Sequence, residues 1–116
     1  MFEAIDEASL AFSPDGRRLA YAGRRDGKWY AVIDGAEGIG YESVGRPAFS
    51  GDGSRAGHVG RREGKDVVVL DGKEAAVHDA VHPNSLTFSF DGGRVGYVTG
   101  PPRGVAVVVD GAEGLP

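Results

Sequence analysis

Phe12-Ser13-Pro14-Asp15-Gly16-Arg17-Arg18-Leu19-Ala20-Tyr21, followed by Asp26-Gly27-Lys28-Trp29-Tyr30-Ala31-Val32-Ile33-Asp34-Gly35, decides the fold, because both halves of this stretch return. The first half recurs as Phe49-Ser50-Gly51-Asp52-Gly53 and Phe88-Ser89-Phe90-Asp91-Gly92, at steps of 37 and 39 residues (12 to 49 to 88). Val32-Ile33-Asp34-Gly35 recurs at the same steps, as Val69-Leu70-Asp71-Gly72 and Val108-Val109-Asp110-Gly111. Self-similarity at such a period marks a repeat architecture whose units stack to bury a shared core. Residues 1–116 therefore read as one domain of three repeats, 2–40, 41–77 and 78–116.

Within each repeat the apolar runs are of strand length and too short for a helical period. In the first repeat they are Ser9–Ser13, Arg18–Gly23, Trp29–Ile33 and Tyr41–Val44. In the second they are Ala48–Ser50, Ala56–Val59, Asp66–Leu70 and His78–Val81. The third has Leu86–Ser89, Val95–Thr99 and Val105–Val109, with no fourth run after it. Asp-Gly pairs between apolar runs signal tight hairpins. The spacing thus predicts four-stranded antiparallel meanders with strands a to d. Phe2-Glu3-Ala4-Ile5 lies ten residues before Phe12, as His78-Asp79-Ala80-Val81 lies ten before Phe88, so it reads as an orphan d strand. Four-stranded units of about 40 residues are blades of a β-propeller.

The Ser-Pro-Asp-Gly turn, the Leu-Ala-Tyr strand behind it and the Val-rich strand ending in Asp-Gly resemble the repeat of TolB-like (WD-like) propellers. The resemblance covers essentially the whole chain. Gly51 and Phe90 stand where Pro is usual, and His58 replaces the aromatic residue of strand b. It implies an all-β propeller of six blades. It leaves function open, since such blades serve binding proteins and non-catalytic domains of peptidases alike.

Three blades make half of such a ring. Runs such as Val67-Val68-Val69-Leu70 and Val105-Ala106-Val107-Val108-Val109 suit strands covered on both faces, and an open arc would leave two of those faces bare. Head-to-tail contacts close into rings when the rotation allows. The expectation is a homodimer of six blades, in which Phe2, Glu3, Ala4 and Ile5 of each chain form the assembly strand beside residues 86–109 of the other. Asp110-Gly111-Ala112-Glu113-Gly114-Leu115-Pro116 matches Asp34-Gly35-Ala36-Glu37-Gly38-Ile39-Gly40, after which Tyr41 corresponds to Phe2. The alternatives are a nine-bladed homotrimer or a piece of a longer propeller.

Composition narrows the classes of function. A net charge of −4 does not suggest a nucleic-acid partner. No apolar run approaches the ~20 residues that span a bilayer, and the acidic N-terminus lacks a signal-peptide n-region. As written the chain reads as cytoplasmic, or as periplasmic where a leader has been removed. With no cysteine there is neither a disulfide nor a thiolate metal site. The Asp-Gly turns lack the Asp and Glu spacing of an EF-hand and read as Asx-turns. His58, His78 and His82 have no zinc-helix spacing, no Gly-x-Ser-x-Gly elbow occurs, and no Gly-rich phosphate loop precedes a helix. The reading is therefore non-catalytic, with no cofactor and no metal.

Phe12, Phe49 and Phe88 read as wedges between blades, and Tyr21 and Tyr97, which recur at one position of strand b, as core or interblade residues. Trp29 in strand c reads as packing or as partly exposed. In a meander the a–b and c–d turns share one rim, which carries Asp15, Asp34, Glu37, Asp52, Asp71, Glu74, Asp91, Asp110 and Glu113 against Arg17, Arg18, Arg55, Lys73 and Arg94. The opposite rim carries Arg24, Arg25, Lys28, Arg46, Arg61, Arg62, Lys65 and Arg103 against Asp6, Glu7, Asp26, Glu63 and Asp66. A basic rim around a channel mouth would attract a small anion or an acidic protein. Its candidate ligand-binding residues are Arg46, His82 and Asn84 at the mouth, with Arg24, Arg25, Arg61 and Arg62 around it.

Overall fold

Two-residue turns lay out the chain. Asp26-Gly27, Asp34-Gly35, Glu63-Gly64 and Asp71-Gly72 place both residues at positive φ, at 52–54° for the acid and 76–82° for the glycine. This is the type I′ geometry, whose twist matches that of the strands it joins. The structure, a computed structural model, describes residues 2–82, 84–100, 105–110 and 112–113.

The described residues form three antiparallel sheets in chain order. Sheet 1 is a meander of β1 (Ala4–Phe12), β2 (Leu19–Arg25), β3 (Lys28–Ile33) and β4 (Ala36–Tyr41). Sheet 2 contains β5 (Ser43–Val44), β6 (Ala48–Phe49), β7 (Ala56–Arg62), β8 (Lys65–Leu70) and β9 (Lys73–His78), with β5 and β6 both pairing with β7. Sheet 3 is β10 (Thr87–Phe88), β11 (Val95–Thr99), β12 (Ala106–Val109) and β13 (Ala112–Glu113).

The registers correct the expected fourth strands. They lie at Ala36–Tyr41 and Lys73–His78, not at Tyr41–Val44 and His78–Val81. The reason is the turn: a two-residue I′ loop sends the chain straight back, so Ile33 pairs with Ala36 and Leu70 with Lys73. Sheet 3 likewise has its own fourth strand, with Val109 paired to Ala112.

Of the segments read as fourth strands, Tyr41 and His78 do end β4 and β9, and the residues after them begin the sheet that follows. Val44 pairs with Gly60, and Val81 bridges Thr99. Ile5 pairs with Gly23 and Ala4 with Arg24 in the same way. The assembly strand therefore lies in cis, as the first part of β1 on its own β2. Strand a is a two-part element, with an irregularity between Asp6 and Ala11 in sheet 1. There the Ser9 hydroxyl donates to the Asp6 carbonyl (2.6 Å) and accepts from the Ala22 N–H (2.7 Å). Ser85 repeats the arrangement with the His82 carbonyl and the Val98 N–H.

The core lies between the sheets. Val59 and Val68 of sheet 2 pack with Val81, Leu86, Val95, Tyr97 and Val108, and half-buried Phe88 and Leu70 extend this cluster. Between sheets 1 and 2, Tyr41 packs with Val67, Val69 and Val44. Phe49 and Phe88 are half-buried, whereas Phe12 is 65% exposed, with no sheet ahead of sheet 1 among the described residues.

Candidate functional site

A repeated clamp joins each sheet to the next. An arginine immediately precedes strand b in every repeat: Arg18 before β2, Arg55 before β7 and Arg94 before β11. The Nε group of each donates to the aspartate of the c–d turn, Asp34 at 2.8 Å, Asp71 at 2.9 Å and Asp110 at 3.1 Å. The second oxygen of each carboxylate accepts the first N–H of strand b, from Leu19, Ala56 and Val95. The guanidinium plane is thereby fixed. Arg18 lies over the Phe49 ring at 5.5 Å and donates from Nη1 to the Gly53 carbonyl at 2.9 Å. Arg55 lies over Phe88 at 5.3 Å and donates to the Gly92 carbonyl at 3.1 Å. Each of these two arginines thus binds the ring face and the a–b turn of the following sheet at once.

The acceptor turns are built by their own side chains. Ser13, Ser50 and Ser89 each donate a hydroxyl proton to the aspartate two residues on. The same aspartates accept backbone N–H groups from Arg17, Ser54 and Gly93. These are the expected Asx-turns. Their carboxyls are held below the ordinary range, for Asp15 chiefly by Ser13, and for Asp52 and Asp91 chiefly by the backbone N–H groups. Asp34 is lowered first by Arg18, and Asp110 first by the Val95 N–H and then by Arg94.

A second repeated contact lies at the other end of the strands. The Tyr41 ring stacks on Gly60 so closely that a Cβ there would sit 2.5 Å from it, and it meets the His58 ring edge-on at 6.3 Å. Phe2 occupies Gly23 in the same manner and meets Tyr21 edge-on at 6.4 Å. His78 completes the series against Tyr97, with Nε2 and the Tyr97 hydroxyl 2.7 Å apart. The Tyr41 hydroxyl donates to Glu74 at 2.5 Å, and Arg62 donates to the same oxygen while lying over the Tyr41 ring. Burial raises the Tyr41 pKa, with Glu74 adding to it. Arg25 binds Glu37 at 2.6 Å and lies over Phe2 and Tyr30.

These pairs redraw the charge map. Glu37 and Glu74 belong to fourth strands and neutralise Arg25 and Arg62, rather than lining the rim opposite them. Arg61 pairs with Asp66 at 2.9 Å, and Lys65 pairs with Asp79. Arg24 and Arg46 are exposed, with no ion pair among the described residues. His82 and Asn84 come together with Val81 and Ser85 around an open cavity of about 420 Å³. Arg61 lines a smaller one of about 240 Å³ with Ser43, Val59, Asp66 and Val81. Arg103, Gly111 and residues 114–116 lie outside the described residues. Among the described residues no group of three His, Asp or Glu side chains could hold a metal ion.

In the sequence, Arg18, Arg55 and Arg94 read only as counter-charges. Their recurrence beside Asp34, Asp71 and Asp110 at the same 37- and 39-residue steps was the signal for a structural clamp. No known protein family model matches the chain, and no curated protein matches it.

Proposed function

We propose that the chain is a non-catalytic, self-assembling half of a β-propeller, whose two open ends join those of a second copy, head to tail, into a six-bladed ring of the TolB-like kind. One observation carries this reading: positions buried inside the chain are bare at its ends. Leu86 is 6% exposed and Val81 4%, whereas Leu10 and Ile5, at the matching positions of sheet 1, are 52% and 45% exposed. On the opposite face Val68 is 1% exposed, whereas Val107, its counterpart in sheet 3, is 51%. The interface between sheets 2 and 3 is thus present in two separated halves, one at each end. An apolar surface divided in this way is satisfied by a second copy, because each half already has its partner in the same sequence.

The cis pairing of Ala4 and Ile5, and the place of β13, remove the need to exchange a strand. Closure in this reading is face to face. Association through the loop-end rim has weaker support, since Arg25, Arg61 and Arg62 are already committed to carboxylates of the chain.

Leu10→Glu and Val107→Glu test the reading. Each places a charge on one open face without touching the internal core. Each variant should keep the wild-type β circular dichroism and lose the wild-type dimer. A dimer that survives both substitutions would overturn the reading.

A further inference from the structure

We propose that Arg94 is the donor half of an intermolecular clamp whose acceptor half is Phe12 and the Gly16 carbonyl of a second copy of this chain; this inference rests on the ring reading above. Two complete clamps inside the chain define the part, and both halves of a third are present but separated. Arg94 is already oriented, with Nε on Asp110 at 3.1 Å, as Arg18 and Arg55 are on Asp34 and Asp71. Its side chain is 70% exposed, against 30% and 31% for Arg18 and Arg55. The difference is that Arg18 and Arg55 each have a following sheet to lie against.

The acceptor half is equally well formed. Gly16 has φ 75°, against 76° for Gly53 and Gly92, and its N–H donates to Ser13 as theirs donate to Ser50 and Ser89. Its carbonyl is therefore presented by the same turn. Space around Gly92 is filled by Arg55 and Ser54 at 2.9 Å from an added Cβ, whereas around Gly16 nothing lies within 4 Å. Phe12 is 65% exposed, and no arginine lies over its ring among the described residues. An arginine held by Asp110 needs a ring and a carbonyl in the spacing of Phe12 and Gly16. The chain itself supplies that pair, which favours a second copy over a foreign partner.

The experiment uses the full chain. The dimer dissociation constant is measured by sedimentation for the wild type, Arg94→Gln and Phe12→Ala, with thermal unfolding as a check on the fold. Each substitution should weaken a junction roughly tenfold, and so a dimer with two junctions on the order of a hundredfold. The two variants are then mixed, carrying tags of different mass. A mixed dimer keeps one intact clamp and loses the other entirely. Coupling between Arg94 and Phe12 makes the mixed species exceed its statistical share, whereas two unrelated effects leave it at that share. A wild-type dimer that Arg94→Gln leaves unchanged, or a purely statistical mixture, overturns the clamp and leaves the ring standing. A monomeric wild type overturns the ring and the clamp with it.

Discussion

The Tyr41 ring closes over the His58 ring, edge to face at 6.3 Å, and seals both imidazole nitrogens away from any hydrogen-bond partner among the described residues. Tyr21 and Tyr97 hold the same place in the other sheets, under Phe2 and His78. His58 is thus an imidazole in an aromatic position, 2% exposed, and burial pushes its pKa down to about 4 from an ordinary 6.5.

The consequence is acid lability. The unfolded chain binds the His58 proton near pH 6.5 and the folded chain only near 4. Stability is therefore full above that window and falls as the pH drops through it, by up to about 3 kcal/mol. His58→Phe should flatten this limb, read as urea midpoints at pH 4.5 and 7.5. The carboxyls Asp15, Asp34, Asp52, Asp91, Asp110, Glu37 and Glu74, held below their ordinary values, add a loss that begins at about pH 5 and deepens below it, which the variant retains. An unchanged slope between pH 4.5 and 7.5 would contradict the buried neutral imidazole.

Tyr41 also links sheets 1 and 2 through its hydroxyl. Tyr41→Phe keeps the ring on Gly60 and removes the bond to Glu74, so it should cost about 0.5–1.5 kcal/mol. Gly60→Ala drives a methyl into that ring and should cost more, because backbone and ring cannot both hold their places. Chemical denaturation orders the two; a milder Gly60→Ala would show that the stacking is dispensable.

Val68 and Val107 provide a matched pair. Val68→Ala removes methyls from the core between sheets 2 and 3 and should cost about 1–3 kcal/mol of chain stability. Val107→Ala should leave the stability of the isolated chain within about 0.5 kcal/mol and weaken association. Denaturation of dilute protein, beside sedimentation at higher concentration, separates the two effects. Equal costs in the dilute chain would mean that Val107 is covered within one subunit.

Gly72 has φ 82° beside Asp71 at 52°, and the space around it is open, with nothing within 4 Å of an added Cβ. Gly72→Ala should therefore cost on the order of 1 kcal/mol through backbone strain alone. Thermal unfolding reads the difference. A neutral result would mean that the turn is free to change type.

The hairpins were legible because Asp-Gly pairs act locally: type I′ turns need positive φ at two successive residues, and the sequence shows where that is easy. The fourth strands were not. Ala36-Glu37-Gly38-Ile39-Gly40 and Lys73-Glu74-Ala75-Ala76 have little β-propensity, and as last strands of their sheets they are tied to a single neighbour. The clearer β-formers lie at the ends of these strands and just beyond, at Tyr41–Val44 and His78–Val81. Tyr41 and His78 end one sheet and pack on the next, with little chain between the two roles, so periodicity alone could not divide them. The exposed apolar faces were legible in part, because near-continuous runs such as Val105-Ala106-Val107-Val108-Val109 suit strands covered on both sides, and Val107 stands exposed. The clamp was not, because the contact of Arg18 with Gly53 depends on how two sheets face one another.

The mass of the unmodified chain in solution tests the central claim most directly. Sedimentation equilibrium at micromolar concentration should return twice 12.1 kDa, with dissociation to single chains only on strong dilution. A single species of 12.1 kDa at every concentration, folded and stable with Leu10, Phe12 and Val107 open to water, would contradict the account.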